Sequence, residues 1–476
     1  MAKKNELPAL IIALLITATL LGIGAWWLKN NVFGSGGLPT SGLGSNSNGG
    51  GSSGKNPGRL EVATADGRSG RSILPTPVSA SKEKGLEAMA AGDYAGAQAA
   101  FAEALKENRN DPESLIYLNN AKIGEATAYT IAVSVPVGSA SNQGNEMLRG
   151  AAQAQQTINQ AGGINGTLLK VLLFDDGDDP QTASALATAL ANDPDVLGVV
   201  GHFSSGTTLA AAEVYEAKGL TMISPASTAV KIADAGKYIF RTVPSDRLAA
   251  ATLSRYVLNT LNKTKAAVFY TSESVYSSSV RSEFTTELLS NGGQVVADID
   301  ISEAGFSAGQ AMQAAKAAGA DVLMLALTDQ TVNTSLQILA LNQQALPVVG
   351  GDSLYDFKIL DVGRNNALGL TVAVPWHILS HEQTPFVKES RLLWGGDVNW
   401  RTATAYDAVV ALAAGIGGSP TREGVEAALA NPALSVEGAT DPIRFLPSGD
   451  RNQPSQLVTV KVGDRSGTGY DFVPVP

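Results

Sequence analysis

Short apolar runs alternate with helical segments from Tyr129 to the end of the chain. These runs predict nine strands, at residues 131–135, 168–174, 196–200, 220–223, 265–270, 294–299, 321–327, 346–349 and 369–374. Because the runs are continuously apolar, they indicate parallel sheets covered by helices on both faces. Residues 129–476 exceed what one core comfortably holds, so two smaller sheets are favoured over one large sheet. The pattern therefore predicts an α/β fold.

A crossing between the two sheets is predicted at residues 241–246, with the sequence RTVPSD. Pro244 has no N–H to donate, so we expect a strand to end before it. Ser245 or Asp246 is then placed to cap the helix that follows.

The N-terminus predicts a membrane anchor over residues 1–30. Leu7–Leu28 is a run of 22 residues without a charge, long enough to cross a bilayer as a helix. Lys3 and Lys4 precede the run and Trp26-Trp27 lie at its end, which places the N-terminus in the cytoplasm and the rest of the chain outside. A cleaved signal peptide is the alternative. The predicted location is therefore the cytoplasmic (inner) membrane, crossed once, with the remaining domains periplasmic or extracellular.

Two further segments precede the α/β region. Residues 31–78 are rich in Gly and Ser and predict a flexible linker. Residues 79–127 predict a helical hairpin whose spacing resembles one tetratricopeptide unit, through Gly85, Tyr94, Ala97, Phe101 and Ala104. Pro112 departs from that pattern by about three residues. Since one such unit cannot bury its apolar face alone, we expect it to dock on the next domain or to pair with another copy. Its role is then either that of a spacer or that of a partner-binding groove.

Composition excludes several classes of function. The net charge of −10 and the pI of 5.0 argue against a nucleic-acid partner, because phosphate binding needs clustered basic residues. The sequence has no Cys, so it has no disulfide, thiolate metal site, cysteine nucleophile or lipid attachment at cysteine. The three histidines, at 202, 377 and 381, are too scattered to indicate a metal site. We therefore predict no metal and no cofactor.

Candidate chemistry follows two apolar strands that run directly into small hydroxyl residues. The segments are VLGVVGHFSSGTT (196–208) and LTMISPASTA (220–229). Hydroxyls and backbone N–H groups at the start of a helix favour an anion such as a carboxylate. No nucleophile–histidine–acid set, phosphate loop or dinucleotide fingerprint accompanies them. The sequence predicts a small-molecule binding protein without catalytic residues.

The acidic segment FDDGDDPQTA (174–183) has the composition of a calcium loop, but no second cluster of ligands accompanies it. We interpret it as a solvated turn that caps the helix beginning at Pro180. His202 lies in the neighbouring hydroxyl-rich loop and is interpreted as a structural hydrogen-bonding residue.

Five segments resemble the type I periplasmic binding proteins, in particular the branched-chain amino-acid (Leu/Ile/Val) binding family. They are QTINQAGGINGTLLKV, DDGDDPQTA, VVGHFSS, AEVYEAKGLTMISPAST and IRFLPSGDRN. The resemblance covers the chain from Tyr129 to about Lys461. It implies two α/β lobes, joined by three crossing strands, with the ligand in the cleft between them. The binding domain would occupy residues 128–476, with lobe 1 at about 129–243 and 376–438 and lobe 2 at about 244–375 and 439–476.

The resemblance also implies a ligand site. Ser205, Ala226 and Thr228 match positions of lobe 1 that hold the ligand carboxylate, and Ser204 lies beside them. Asp352 matches an acidic residue of lobe 2 that holds the ligand ammonium group. Hydroxyls at a helix start suit an anion, and a carboxylate across the cleft suits a cation.

The chain departs from that family at four matched positions. Gln143 occupies the position of an aromatic residue, and Thr328 that of a tyrosine near the ligand ammonium group. Both are expected near the ligand and indicate a preference other than for leucine. Asp178 and Ser204 occupy the two positions of a family disulfide. Both halves of that disulfide are replaced together, so the fold stays coherent.

Each of these residues also has a purely structural interpretation. Ser205 and Thr228 are suited to capping helices, and Asp352 to a turn. Tyr276 and Trp376 follow strand ends, either as aromatic walls of the cleft or as ordinary packing.

The resulting prediction is a membrane-tethered, extracytoplasmic solute-binding protein that captures a small amino-acid-like ligand by closure of its lobes. The predicted partner is an ABC transporter permease. The alternative is a ligand-sensing receptor subunit that signals to another membrane or periplasmic protein. A purely structural role through the helical hairpin is a third interpretation.

Overall fold

The computed structural model describes residues 71–75, 78–439 and 441–475. The predicted anchor and most of the predicted linker lie outside the described residues. Within the described ranges, no helix combines the length and apolarity needed to cross a membrane.

Three helices precede the first strand: α1 (Ala80–Ala90), α2 (Tyr94–Glu107) and α3 (Pro112–Ile123). α1 and α2 form the predicted hairpin and approach closely, since a Cβ added at Gly85 would lie 2.7 Å from the Phe101 ring. Pro112 opens α3, where its missing N–H costs nothing, and the Asp111 side chain accepts a hydrogen bond from Ser114 N at 3.0 Å. The third helix therefore accounts for Pro112, while the tetratricopeptide resemblance stays a prediction.

The first sheet has five parallel strands in the order β2-β1-β3-β4-β5. They are β1 (Ala128–Val135), β2 (Leu168–Asp175), β3 (Val196–Val200), β4 (Met222–Ser224) and β5 (Ile239–Arg241). The helices between them are α4 (Ser141–Gln160), α5 (Pro180–Asn192) and α6 (Ser205–Lys218). The central strands are buried along their length, which explains their continuously apolar sequence.

The second sheet has seven strands in the order β12-β11-β10-β9-β8-β6-β7. They are β6 (Lys265–Tyr270), β7 (Gln294–Asp300), β8 (Val322–Ala326), β9 (Val348–Gly350), β10 (Thr371–Val374), β11 (Gln456–Val462) and β12 (Tyr470–Pro474). Four helices belong to this lobe: α7 (Asp246–Arg255), α8 (Val275–Ser290), α9 (Ala308–Ala317) and α10 (Val332–Asn342). Three more follow β10: α11 (Pro385–Trp394), α12 (Trp400–Gly418) and α13 (Arg422–Leu429). α11 and α12 pack against α4 of the first lobe, and α13 packs against α12 and β3.

All nine predicted strands are present, and β5 is the strand expected to end before Pro244, whereas β11 and β12 were not predicted. The prediction of parallel strand–helix alternation to the end of the chain is wrong for β11 and β12, which pair antiparallel with their neighbours. For the β11–β12 pair the reason is the short connection at residues 463–469, because a parallel pair needs a crossover of a dozen residues or more.

The chain passes between the two lobes three times, after β5, after β10 and before β11. Two buried arginines form ion pairs close to these passages. Arg241, at the end of β5, donates from Nε to Asp450 Oδ1 at 2.7 Å. Arg451 pairs with Asp407 at 3.3 Å. These ion pairs tie residues 443–452 to the first lobe.

Ser245 is the N-cap residue of α7 and Asp246 its first residue, as the sequence predicted. Asp246 is fully buried, and burial raises its pKa to about 7. The Ser279 and Thr228 hydroxyls offset part of this shift, and the nearby Asp352 carboxylate adds to it.

The helices α1–α3 dock on the first lobe, one of the two outcomes expected from the sequence. Strand β2 is an edge of the first sheet, so its outer N–H and C=O groups need partners. Asn120 of α3 donates to Val171 O at 2.7 Å and accepts from Val171 N at 3.2 Å. Gln155 of α4 donates to the same Asn120 oxygen at 2.8 Å. One side chain thus pairs both backbone groups of an edge residue.

Asn120→Ala should lower the free energy of unfolding by about 1–3 kcal/mol, because it leaves the buried backbone groups of Val171 unpaired. The measurement is the urea midpoint of the full chain. Asn108→Ala, at the exposed end of α2, is the control and should change the free energy of unfolding by less than about 0.5 kcal/mol. Equal effects of the two substitutions would contradict the docking role of Asn120.

Asp246 should make stability depend on pH. Between about pH 4 and 7 the folded chain keeps a proton that the unfolded chain has released. The stabilisation from this group is complete below the unfolded pKa of 3.8 and disappears as the pH rises through about 7. Asp246→Asn should flatten this decline, as measured by urea midpoints between pH 4.5 and 8. Asp361→Asn, at a half-exposed carboxylate, should retain the decline; an unchanged slope in Asp246→Asn would refute the assignment.

Candidate functional site

A cavity of about 380 Å³ lies between the two lobes. The first lobe contributes residues 203–207 at the start of α6, and Ala226 after β4. The second lobe contributes the segments after β6, β8 and β9, through residues 271–276, 328–331 and 352–353. All of these segments follow the carboxyl ends of parallel strands, where open α/β sheets bind their ligands.

The first-lobe wall is built for an anion. Ser204 is the N-cap residue of α6, and its Oγ accepts from Thr207 N at 3.4 Å. Ser205 is buried, and its Oγ accepts from Ala229 N at 3.3 Å. No described residue accepts the Ser205 hydroxyl hydrogen, which is left to donate into the cavity. The partial positive charge at the start of α6 adds to this preference.

The second-lobe wall carries a buried carboxylate. Tyr276 donates from its hydroxyl to Asp352 Oδ1 at 2.6 Å. Burial raises the pKa of Asp352, whereas the Tyr276 hydrogen bond and the nearby Arg401 guanidinium lower it. Gly351 makes the contact possible, because a Cβ there would lie 2.3 Å from the Tyr276 hydroxyl oxygen. This arrangement offers a carboxylate oxygen to a cationic group.

Six of the nine residues predicted for the site line this cavity: Ser204, Ser205, Ala226, Tyr276, Thr328 and Asp352. The structure thus brings both predicted walls together. The ligand contacts themselves stay predictions.

Three predicted residues do not line the cavity. Thr228 is buried behind the first-lobe wall, where its backbone oxygen accepts from Asp246 N at 2.8 Å. Gln143 donates to Asp356 Oδ2 at 3.3 Å. Trp376 is 3% exposed and stacks on His381 with ring centroids 5.7 Å apart, which corresponds to the packing interpretation.

The acidic segment differs from the solvated turn that was predicted. Asp179 does cap α5, accepting from Thr182 N at 2.7 Å. Asp176, however, is fully buried and lies 2.6 Å from His202 Nδ1, so His202 is the structural hydrogen-bonding residue that was expected. Asp178 lines the cavity. The prediction was wrong for Asp176 and Asp178 because the segment folds inwards against the hydroxyl-rich loop.

Sequence reasoning missed Arg401, the cationic residue of the cavity lining. It is the second residue of α12, is 3% exposed, and its guanidinium carbon lies 4.2 Å from the centroid of the Trp400 ring. A usable signal was present: Arg401 and Asp407 are the charged residues of a helix made otherwise of small, apolar and uncharged polar residues.

The charges of the cavity suit a zwitterionic or otherwise mixed-charge ligand. Four carboxylates line it, at Asp178, Glu273, Asp329 and Asp352, together with the Arg401 guanidinium. Burial raises the pKa of Asp329, and Arg401 lowers it. Among the described residues of the lining there is no histidine or lysine. The donors and acceptors fit recognition of a polar solute.

The periplasmic binding protein family matches residues 128–467. The leucine-, isoleucine-, valine-, threonine- and alanine-binding protein of Pseudomonas aeruginosa is 36% identical over 147 residues, or 30% of this chain and 39% of that protein. The Leu/Ile/Val-binding protein of Escherichia coli K12 is 35% identical over 140 residues, or 29% of this chain and 37% of that protein. The chain thus matches well under half the length of these curated relatives.

Solved structures extend the likeness over both lobes. An ABC transporter substrate-binding protein from Desulfitobacterium hafniense has a TM-score of 0.60 at 25% identity, covering 73% of this chain and 100% of that chain. The members of this family are binding proteins rather than enzymes, which confirms the prediction that the chain is not an enzyme. With a family match over residues 128–467 and two α/β lobes around a cavity, the chain belongs to the periplasmic binding protein family.

Proposed function

We propose that this protein is an extracytoplasmic solute-binding protein that captures an α-amino acid between its lobes. One observation carries the proposal: an anion-favouring helix start at Ser205 and a buried carboxylate at Asp352 line the same cavity. The ligand carboxylate binds at the start of α6, and its ammonium group binds Asp352. The names of the Pseudomonas and Escherichia relatives, which are amino-acid-binding proteins, support this ligand class.

Hydrogen bonds between the lobes support capture by closure. Gln330 of lobe 2 donates to Asp178 of lobe 1 at 3.2 Å. Val230 N of lobe 1 donates to Ser279 Oγ of lobe 2 at 3.1 Å. Such contacts stabilise the closed form, and bending at the three connecting passages would open the cavity. The hydrogen bond from Gln143 of lobe 1 to Asp356 of lobe 2 also joins the lobes, so Gln143 stabilises the closed form instead of contacting the ligand.

The proposed partner is the permease of an ABC transporter, in keeping with the description of the Desulfitobacterium structure. The predicted anchor at residues 1–30 and the linker hold the binding domain at the outer face of the cytoplasmic membrane. Helices α1–α3, fixed to the first lobe, favour a second candidate in which closure signals to a membrane or periplasmic partner without transport.

Asp352→Asn tests the ammonium site. The substitution keeps the size of the side chain but removes the charge, so affinity for an α-amino acid should fall roughly 10- to 100-fold. Calorimetric titration of the full chain with a panel of amino acids measures the change. Without ligand, the thermal unfolding midpoint of the variant should stay close to that of the wild type, because the substitution removes a buried charge and keeps the packing of the side chain.

Asp361→Asn is the matched control, since Asp361 is half exposed and does not line the cavity. It should leave every affinity unchanged. If Asp352→Asn retains wild-type affinity, or if the wild-type chain binds no amino acid of the panel, the proposed function is wrong.

A further inference from the structure

A buried cation of the cavity lining has no hydrogen-bond acceptor for its guanidinium among the described residues. Arg401 is one of three arginines that are fully buried in the described part of the chain. The other two are held by carboxylates, Arg241 by Asp450 at 2.7 Å and Arg451 by Asp407 at 3.3 Å. The Arg401 guanidinium forms no hydrogen bond or ion pair with any described residue, and its Nε is a buried donor without an acceptor.

Two aromatic rings lie against the Arg401 guanidinium. Its carbon lies 4.2 Å from the centroid of the Trp400 ring and 5.7 Å from that of Phe203. Cation–π contacts of this kind stabilise the guanidinium charge without supplying a hydrogen-bond acceptor for its N–H groups. Arg401, Trp400 and Phe203 all line the cavity, so an acceptor for these N–H groups can come from a bound ligand.

The acids of the cavity interact with this charge only through space. Burial raises the pKa of Asp329 and of Asp352, and the nearby Arg401 charge offsets part of each rise without a hydrogen bond or ion pair. Asp352 accepts from Tyr276, and Asp178 accepts from Thr207 at 2.9 Å and from Gln330 at 3.2 Å. No carboxylate oxygen of the described chain lies within ion-pair distance of Arg401. A buried guanidinium without an acceptor is costly, and that cost is removed when an anion enters.

We propose that the ligand carries a second acidic group and that Arg401 binds it, so that the preferred ligands are amino-dicarboxylic acids. This inference rests on the proposed function, in which Ser205 and Asp352 already bind the α-carboxylate and the ammonium group. Arg401 is then the selectivity residue. Its planar guanidinium forms two parallel hydrogen bonds with the side-chain carboxylate, a geometry that a neutral amide cannot match.

Calorimetric titration of the full chain with glutamate, glutamine, aspartate, asparagine and leucine tests the proposal. Wild-type protein should bind at least one of the two acids roughly 10- to 100-fold more tightly than its own amide. Arg401→Gln should remove that preference by weakening binding of the acid while leaving binding of the amide within about threefold. Arg401→Lys keeps a charge without the planar fork and should restore part of the preference.

The outcomes separate this inference from the proposed function. If leucine or the amides bind as tightly as the acids in the wild type, the inference fails while the amino-acid function stands. If Arg401→Gln weakens acid and amide equally, Arg401 serves the α-carboxylate or the fold, and the inference again fails. If no amino acid binds at all, both fail together. The wild-type comparison decides the matter even where Arg401→Gln does not fold, as judged from its thermal unfolding curve.

Discussion

The constraint on which the site depends is that two parallel sheets direct their carboxyl ends towards one cavity. In each lobe these strand ends bring loops and helix starts to the same edge. Three passages of chain join the lobes, and the pairs Arg241–Asp450 and Arg451–Asp407 hold residues near them. Because the donors come from one lobe and the acids mainly from the other, the complete site exists only when the lobes face each other.

The buried charged groups differ in whether the protein itself supplies an ion-pair partner. Arg241 and Arg451 each form an ion pair with a carboxylate of the protein, so their charges fix the crossing region, although each keeps one buried N–H group without an acceptor among the described residues. Within the described part of the chain, the side-chain hydrogen-bond partner of Asp352 is the Tyr276 hydroxyl, and the Arg401 guanidinium lies against aromatic rings and has no acceptor. A buried charged group that lacks hydrogen-bond or ion-pair partners within the protein raises the free energy of the unliganded state. A ligand that supplies such a partner therefore lowers the free energy most at these groups.

Features set by local sequence could be predicted, whereas features set by contacts between residues far apart in the chain could not. Buried parallel strands leave continuous apolar runs, so nine strands and the crossing at Ser245 could be found from local sequence. The antiparallel β11 and β12 lie partly at the surface and lack such runs. Contacts between segments far apart in sequence place Asp178 and Arg401 in the cavity lining. Trp376 instead packs against His381, outside that lining. Local pattern carries no record of those contacts.

Helices α1–α3 bear on how closure would be transmitted. Their hydrogen bonds go to the first lobe, from Asn120 to Val171 and from Arg109 to Leu393 O. The segment that leads from the proposed anchor therefore ends on lobe 1. In the proposed closure, lobe 2 would move relative to lobe 1 and to anything held by α1–α3. A partner that contacts both lobes would distinguish liganded from unliganded protein, whether it transports the ligand or only reports its presence.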